Sequence, residues 1–197
     1  MSAGLEKEIC SYLNLNLNKF DIVIVTDFGH GLITPKVVNI LRKKSKFLAV
    51  NVQTNSANIG FNLITKFKHA DYICIDEPEI RMACHDKFSN VKKLIRKISK
   101  ECDCHKIIIT RGHRGSLVYS KKEGFTEIPI FSKEVIDRIG AGDAYFSVTS
   151  PCAFKGVPME TLGFIGNAAG AIKVLIVGNR TAVEPVTLYK YISTLLK

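Results

Sequence analysis

Short, unbroken apolar runs alternate with amphipathic stretches along most of the chain. Leu5, Ile9, Leu13 and Leu17 recur near helical spacing and predict an amphipathic helix over the first twenty residues. Residues 21–26 (DIVIVT) are β-branched and continuous, which predicts a buried strand. Residues 47–50, 72–75 and 106–110 repeat that pattern and predict three more. Thr34 and Pro35 supply a cap and a first helical position for a helix running to about Lys44. Residues 89–100 place Lys92, Lys93, Arg96, Lys97 and Lys100 on the solvated face of another helix. A hairpin follows the 106–110 strand, with a return strand at 116–119 and a short edge strand at 128–130. Helices are then predicted from 140–143 onward, over 161–175 and over 186–196. Strand–loop–helix units in this order mean an α/β fold, with a mostly parallel sheet and helices on both faces. Ligands of such sheets lie at the carboxyl ends of the strands. The polar segments at 27–31, 51–58, 76–79 and 111–115 all follow strands.

A length of 197 residues suits a single domain over 1–197. No apolar run is long enough to span a bilayer, and the first residues lack a secretion signal's charged-then-apolar plan. A cytoplasmic protein without a membrane partner is expected. The net charge of +10, from 28 Lys and Arg against 18 acids, raises the question of nucleic acid. The cations are scattered, however, and no aromatic side chains interleave with them as a stacking platform. The charge therefore predicts an anionic small substrate such as a phosphate, and no nucleic-acid partner. The six cysteines read as reduced structural thiols, and Cys102-Asp103-Cys104-His105 lacks a second ligand pair for zinc.

The sharpest chemical signal is Asp137-Arg138-Ile139-Gly140-Ala141-Gly142-Asp143-Ala144. Small residues before a helix let the backbone approach an anion, and the helix amino end supplies unpaired N–H groups and a positive dipole end. Asp143, beside such an anion hole, is placed to take a proton from an attacking hydroxyl. It is equally a first-turn carboxylate favoured by the helix dipole, and the segment alone leaves both readings open. The glycines match neither the Rossmann fingerprint nor a Walker-type loop.

This segment closely resembles the Asp-Thr-x-Gly-Ala-Gly-Asp signature of the ribokinase-like, PfkB-type carbohydrate kinases, through Asp137, Gly140, Ala141, Gly142 and Asp143. Three further elements stand in the family's order. Asp76-Glu77-Pro78-Glu79 is similar to its Asn-x-x-Glu element, with Asp76 for Asn. Thr110-Arg111-Gly112-His113-Arg114-Gly115 matches its Thr-x-Gly-x-x-Gly phosphate turn. Gly166-Asn167-Ala168-Ala169-Gly170-Ala171 resembles its adenine-bordering helix. Residues 21–31 and 163–185, with Val177-Gly178-Asn179-Arg180, look most like the heptose-7-phosphate kinase branch.

The resemblance implies a three-layer α/β/α, Rossmann-like fold lacking the family's N-terminal strands and β lid. It implies an ATP-dependent sugar or sugar-phosphate kinase, a phosphotransferase with an alcohol acceptor such as a heptose phosphate. Asp143 would be the base, with the amides of Ala141, Gly142 and Asp143 and the turn at Gly140 forming the anion hole. Asp76, Glu79, Thr110, Gly112, Gly115 and Asn167 would face ATP. Glu79 would act on Mg2+ through water, and Asp137 with the Ile139 carbonyl would hold part of a K+ site. A nucleotidyltransferase, or a chain supplying the N-terminal half, is the implied protein partner. A truncated or degenerate nucleotide-binding module without catalysis is the alternative. An exposed sheet edge predicts self-association, with a homodimer as one form.

Other residues keep two readings. Asp27 and His30 face either acceptor or solvent, and the amide-rich stretch 51–62 either binds sugar hydroxyls or forms ordinary turns. Arg111, His113 and Arg114 face either phosphate or water. His69, His85 and His105 are expected at the surface. Arg138 stands where the family has a small residue, so it either adds charge to a phosphate site or marks a subfamily.

Overall fold

A computed structural model describes all of residues 1–197. The chain divides into two compact units, Met1–Ile107 and Ile108–Lys197.

In the first unit, helix α1 (Ala3–Asn16) leads through a short 3-10 turn to strand β1 (Val23–Asp27). Helix α2 (Pro35–Lys44) follows, with Thr34 as its cap: the hydroxyl accepts from the Val37 amide at 3.4 Å. Strand β2 (Leu48–Val52) pairs in parallel with β1, Val23 opposite Leu48. Strand β3 (Tyr72–Asp76) pairs in parallel with β2, Ala49 opposite Tyr72. Helices α3 (Glu77–Cys84) and α4 (Val91–Glu101) then lead to β4 (Lys106–Thr110), within which the division falls.

Every residue of β2 is buried, as the continuous apolar run at 47–50 predicts. Helix α4 turns Val91, Leu94, Ile95 and Ile98 inward at helical spacing, which leaves its basic residues on the other face. Each such aliphatic side chain taken out of water contributes about 1.5–3 kcal/mol. Two elements differ from the sequence pattern. Strand β1 alternates, with Val25 and Asp27 buried and Ile24 exposed, because one of its faces is left open. Helix α1 has no fully buried residue, and a Lys36–Glu6 ion pair at 2.7 Å links it to α2.

The second unit continues from β4 into an antiparallel hairpin of β5 (Ser116–Ser120) and β6 (Gly124–Ile128), with Ser116 opposite Ile128. The edge strand expected at 128–130 thus lies earlier. Pro129 has no N–H to donate to a ladder, so β6 stops before it. Helices α5 (Ala141–Phe154), α6 (Met159–Lys173) and α7 (Pro185–Leu195) complete the unit. Gly166 on α6 leaves the room that the Tyr145 ring of α5 fills. The Tyr145 hydroxyl reaches Ser116 Oγ at 3.0 Å, which ties α5 to β5. Ala168, Ala169 and Leu188 form a core cluster lined by Phe131 and Tyr191.

All six cysteines are free thiols. Burial pushes Cys74 and Cys102 up to about 12 and Cys104 higher still, so they remain protonated and apolar in character. His69 departs from the expectation of an unpartnered surface residue: its Nδ1 lies 3.1 Å from Asp103 Oδ2.

Candidate active site

In the second unit, Gly140 caps α5 with φ +75°, in the left-handed region. A Cβ there would lie 3.0 Å from Lys173 Cε and 3.1 Å from Asn179 Oδ1, so conformation and crowding both require glycine. The turn is closed by the Ala141 amide donating to the Arg138 carbonyl at 3.2 Å, and by Ala144 donating to Gly140 at 2.9 Å. Helix geometry gives the remaining first-turn amides no acceptor inside the helix. A Cβ on Gly142 would meet nothing within 4 Å, so the turn is uncrowded on the side where a side chain would stand. Asp143 stands in that first turn and is partly exposed. The result is a carboxylate beside an open helix amino end, the pairing needed to bind an anion and deprotonate a nearby hydroxyl.

Asp137 holds the floor of this turn. Its Oδ1 accepts from the Ile139 amide at 2.9 Å and its Oδ2 from the Gly178 amide at 2.7 Å. Those two hydrogen bonds, the first the larger, keep its carboxyl below the ordinary aspartate range. The amides of Ile136 and Asp137 donate to the Val174 carbonyl at 2.8 and 3.0 Å. The segments around 137 and 178 are thereby locked together. Lys173, buried at the end of α6, donates its ammonium to the Gly178 carbonyl.

The Thr110–Gly115 turn leaves β4 through a 3-10 segment, Gly112–Arg114. The Arg111 amide donates to Gly115 at 2.8 Å, and Gly115 donates back to Gly112 at 3.0 Å. Gly115 has φ +75°, and a Cβ on it would fall 2.0 Å from the Ile128 carbonyl oxygen. That carbonyl also accepts from Asn167 Nδ2 at 3.1 Å, and the Pro129 carbonyl accepts from the same nitrogen at 2.6 Å. The structure therefore brings Gly115 and Asn167 together at the end of β6. Arg111 donates to the Arg114 carbonyl at 3.3 Å and to Glu127 at 3.0 Å, while His113 and Arg114 are exposed.

Asp76 and Glu79 belong to the first unit, where they form a reciprocal capping box at the start of α3. Asp76 Oδ1 accepts from the Glu79 amide at 2.7 Å, and Glu79 Oε2 accepts from the Asp76 amide at 2.8 Å. Glu79 Oε1 also accepts from the Thr54 amide at 3.0 Å. Asp caps as well as Asn, which explains why Asp76 serves locally. Burial raises the Asp76 carboxyl above its ordinary value. A carboxylate oxygen can accept from water as well as from an amide, which is the donor chemistry that a magnesium ion held through water calls for.

The turn at 27–31 is also built from within. Asp27 is buried, accepts from the Gly29 amide at 2.9 Å and is ion-paired to Lys66. Asn55 and Asn58 donate to the Phe28 carbonyl at 3.1 and 2.9 Å. Asn62 donates to the carbonyls of Asp27 and Gln53, each at 3.0 Å. These amide nitrogens brace the turn. The sequence reading missed half-buried Lys66 and buried Lys173. The signal for Lys173 was a lone cation ending the small and apolar stretch 168–172.

Comparison with known proteins defines the class. The profile of the pfkB family carbohydrate kinases matches residues 12–185, and the chain belongs to that family. It is 26% identical over 185 residues to the bifunctional protein HldE of Wolinella succinogenes, covering 92% of this chain and 38% of that protein. It is 28% identical over 180 residues to HldE of Campylobacter jejuni subsp. doylei, covering 89% of this chain and 38% of the relative. The chain thus spans well under half the length of these relatives. Among solved structures, a phosphofructokinase-2 mutant from Escherichia coli superposes with a TM-score of 0.81 at 12% identity, over 100% of this chain and 64% of that one. Arabidopsis thaliana ribokinase complexed with ribose and ATP gives a TM-score of 0.73 at 16% identity, over 98% and 59%. The fold is the ribokinase-like α/β fold.

Proposed function

We propose that the chain is the catalytic part of an ATP-dependent sugar-phosphate kinase acting on a heptose phosphate. The observation that carries this reading is the start of α5, with Gly140 in the left-handed cap, an uncrowded Cβ position at Gly142, and Asp143 one residue on. Family membership supports a carbohydrate acceptor, and the HldE relatives support the heptose branch. The net charge of +10 favours an acceptor that is itself anionic.

In this mechanism Asp143 accepts the proton of the acceptor hydroxyl. A bond forms from that oxygen to the γ-phosphorus of ATP as the bridging P–O bond breaks and ADP leaves. The amides of Gly142 and Asp143 stabilise the charge on the transferring group, while the Ala141 amide, expected to join them, closes the turn on the Arg138 carbonyl. The Thr110–Gly115 turn holds nucleotide phosphates, and Asn167 keeps that turn in shape. Magnesium, when bound, neutralises phosphate charge; Glu79 would accept a hydrogen bond from a water in its shell, with Asp76 fixing the carboxylate. The bifunctional relatives motivate a nucleotidyltransferase as partner, and the reaction belongs in the cytoplasm.

The test is calorimetry with ATP-Mg followed by turnover with a panel of sugar phosphates. Asp143→Asn should lower kcat by about 10²–10⁴ and leave ATP affinity nearly unchanged. A variant that kept its full rate would remove Asp143 from the role of base. ATP binding without turnover for any acceptor would instead favour a nucleotide-binding module without catalysis.

A further inference from the structure

We infer that Lys173 is the resident cation of this site, its ammonium occupying the place between the 137–140 and 174–179 segments that a monovalent metal ion would take, so that the chain does not need potassium. The inference rests on the kinase reading only in its nucleotide arm.

The family resemblance implies a monovalent cation held in part by Asp137 and the Ile139 carbonyl, and one solved relative is phosphofructokinase-2 from Escherichia coli in complex with potassium. The residues present here fit such an ion poorly. Lys173 is only 5% exposed, although a lysine at a helix end ordinarily extends its head to water. Its Nζ donates to the Gly178 carbonyl. The Nζ also lies 3.6 Å from the point where a Cβ on Gly140 would stand, and Asn179 Oδ1 lies 3.1 Å from the same point. Each Asp137 oxygen already accepts from an amide, Oδ1 from Ile139 and Oδ2 from Gly178, so an ion there would share both with the backbone. The Lys173 charge further favours the ionised Asp137 carboxylate.

A carbonyl, an amide oxygen and a nearby carboxylate are the donors a dehydrated alkali ion takes, and an ammonium uses the same set. A metal ion entering beside it would meet a like charge away from bulk water and compete for the same oxygens. Lys173 touches no reacting atom in this arrangement. It is a positioning residue that fixes the 174–179 segment behind Gly140 and adds positive charge behind the amino end of α5.

The test compares KCl, NaCl and N-methylglucamine chloride at equal ionic strength, by thermal unfolding and by ATP-Mg calorimetry on the full chain. Wild type should unfold at the same temperature in all three salts, within about 1 °C. Lys173→Ala should unfold about 4 °C or more lower and regain part of that in KCl but not in N-methylglucamine chloride. Lys173→Met, which fills the space without charge, should bind ATP-Mg about tenfold more weakly in every salt. Potassium-specific stabilisation of wild type, or tightening of its ATP binding by more than about threefold, would overturn the proposal. So would a methionine variant that binds like wild type. Should the alanine variant not fold, the wild-type salt comparison and the methionine variant still decide. Absence of ATP binding by wild type in every salt would refute the kinase reading, while the unfolding arm would still judge Lys173.

Discussion

Single side chains in this protein act mostly by holding backbone. Asp27 is the clearest case, a buried carboxylate shared between the Gly29 amide and the Lys66 ammonium. Burial pulls the Lys66 ammonium below its ordinary value, against the attraction of Asp27. Lys66→Met would leave that carboxylate buried without its countercharge. The expected loss is about 3 kcal/mol in urea unfolding. The double variant Asp27→Asn with Lys66→Met should recover much of it, because the stranded charge is then gone as well. A single variant as stable as wild type would show that the Asn62 and Asn58 bonds hold the turn unaided. The same logic explains Glu79, whose two oxygens close a helix cap and a neighbouring loop.

At the level of elements, the candidate site residues lie at the starts of helices and in turns. The Thr110–Gly115 turn depends on a close approach of Gly115 to the end of β6, not on its own hydrogen bonds alone. Gly115→Ala would force a Cβ to within 2.0 Å of the Ile128 carbonyl oxygen at φ +75°. It should cost about 2 kcal/mol or more. It should also weaken ATP binding, since Asn167 bonds to that same carbonyl and must move with it. A variant with unchanged stability and affinity, measured by denaturation and calorimetry, would mean that the turn tolerates a second conformation. Helix α5 is different: its first turn is uncrowded at the Gly142 Cβ position while Asp137 and Lys173 lock the segments behind it.

For the whole molecule, the exposed apolar surface of the first unit matters most. Ile24 on β1 is 42% exposed, and Phe20, Phe28 and Leu32 nearby in the chain are exposed as well. Strand β1 stands at the end of the strand order, so one edge of it has no sheet partner. Self-association should appear by light scattering as protein concentration rises, and more strongly at high salt, which screens the repulsion of a +10 chain. Ile24→Lys should return the species toward 21.9 kDa. A 21.9 kDa species at every concentration and salt would contradict this expectation.

Much of this protein is written locally. Short continuous apolar runs announced β2, β3 and β4, Thr34 and Pro35 announced α2, and the spacing of four short motifs announced the family. Such features depend on neighbours within a few residues, so the chain itself displays them. The open face of β1 was hidden, because burial depends on what covers a strand and not on its own composition. The partners of the site residues were hidden too. Asp137 meets Gly178 across 41 positions, Asn167 meets Ile128 across 39, and Glu79 meets Thr54 across 25. Nothing beside Lys66 or Lys173 in the chain tells of the Asp27 carboxylate or the Gly178 carbonyl that folding brings to them. A motif states which groups are present; only the packing of distant segments decides which of their hydrogen bonds are already made and which face outward for a ligand.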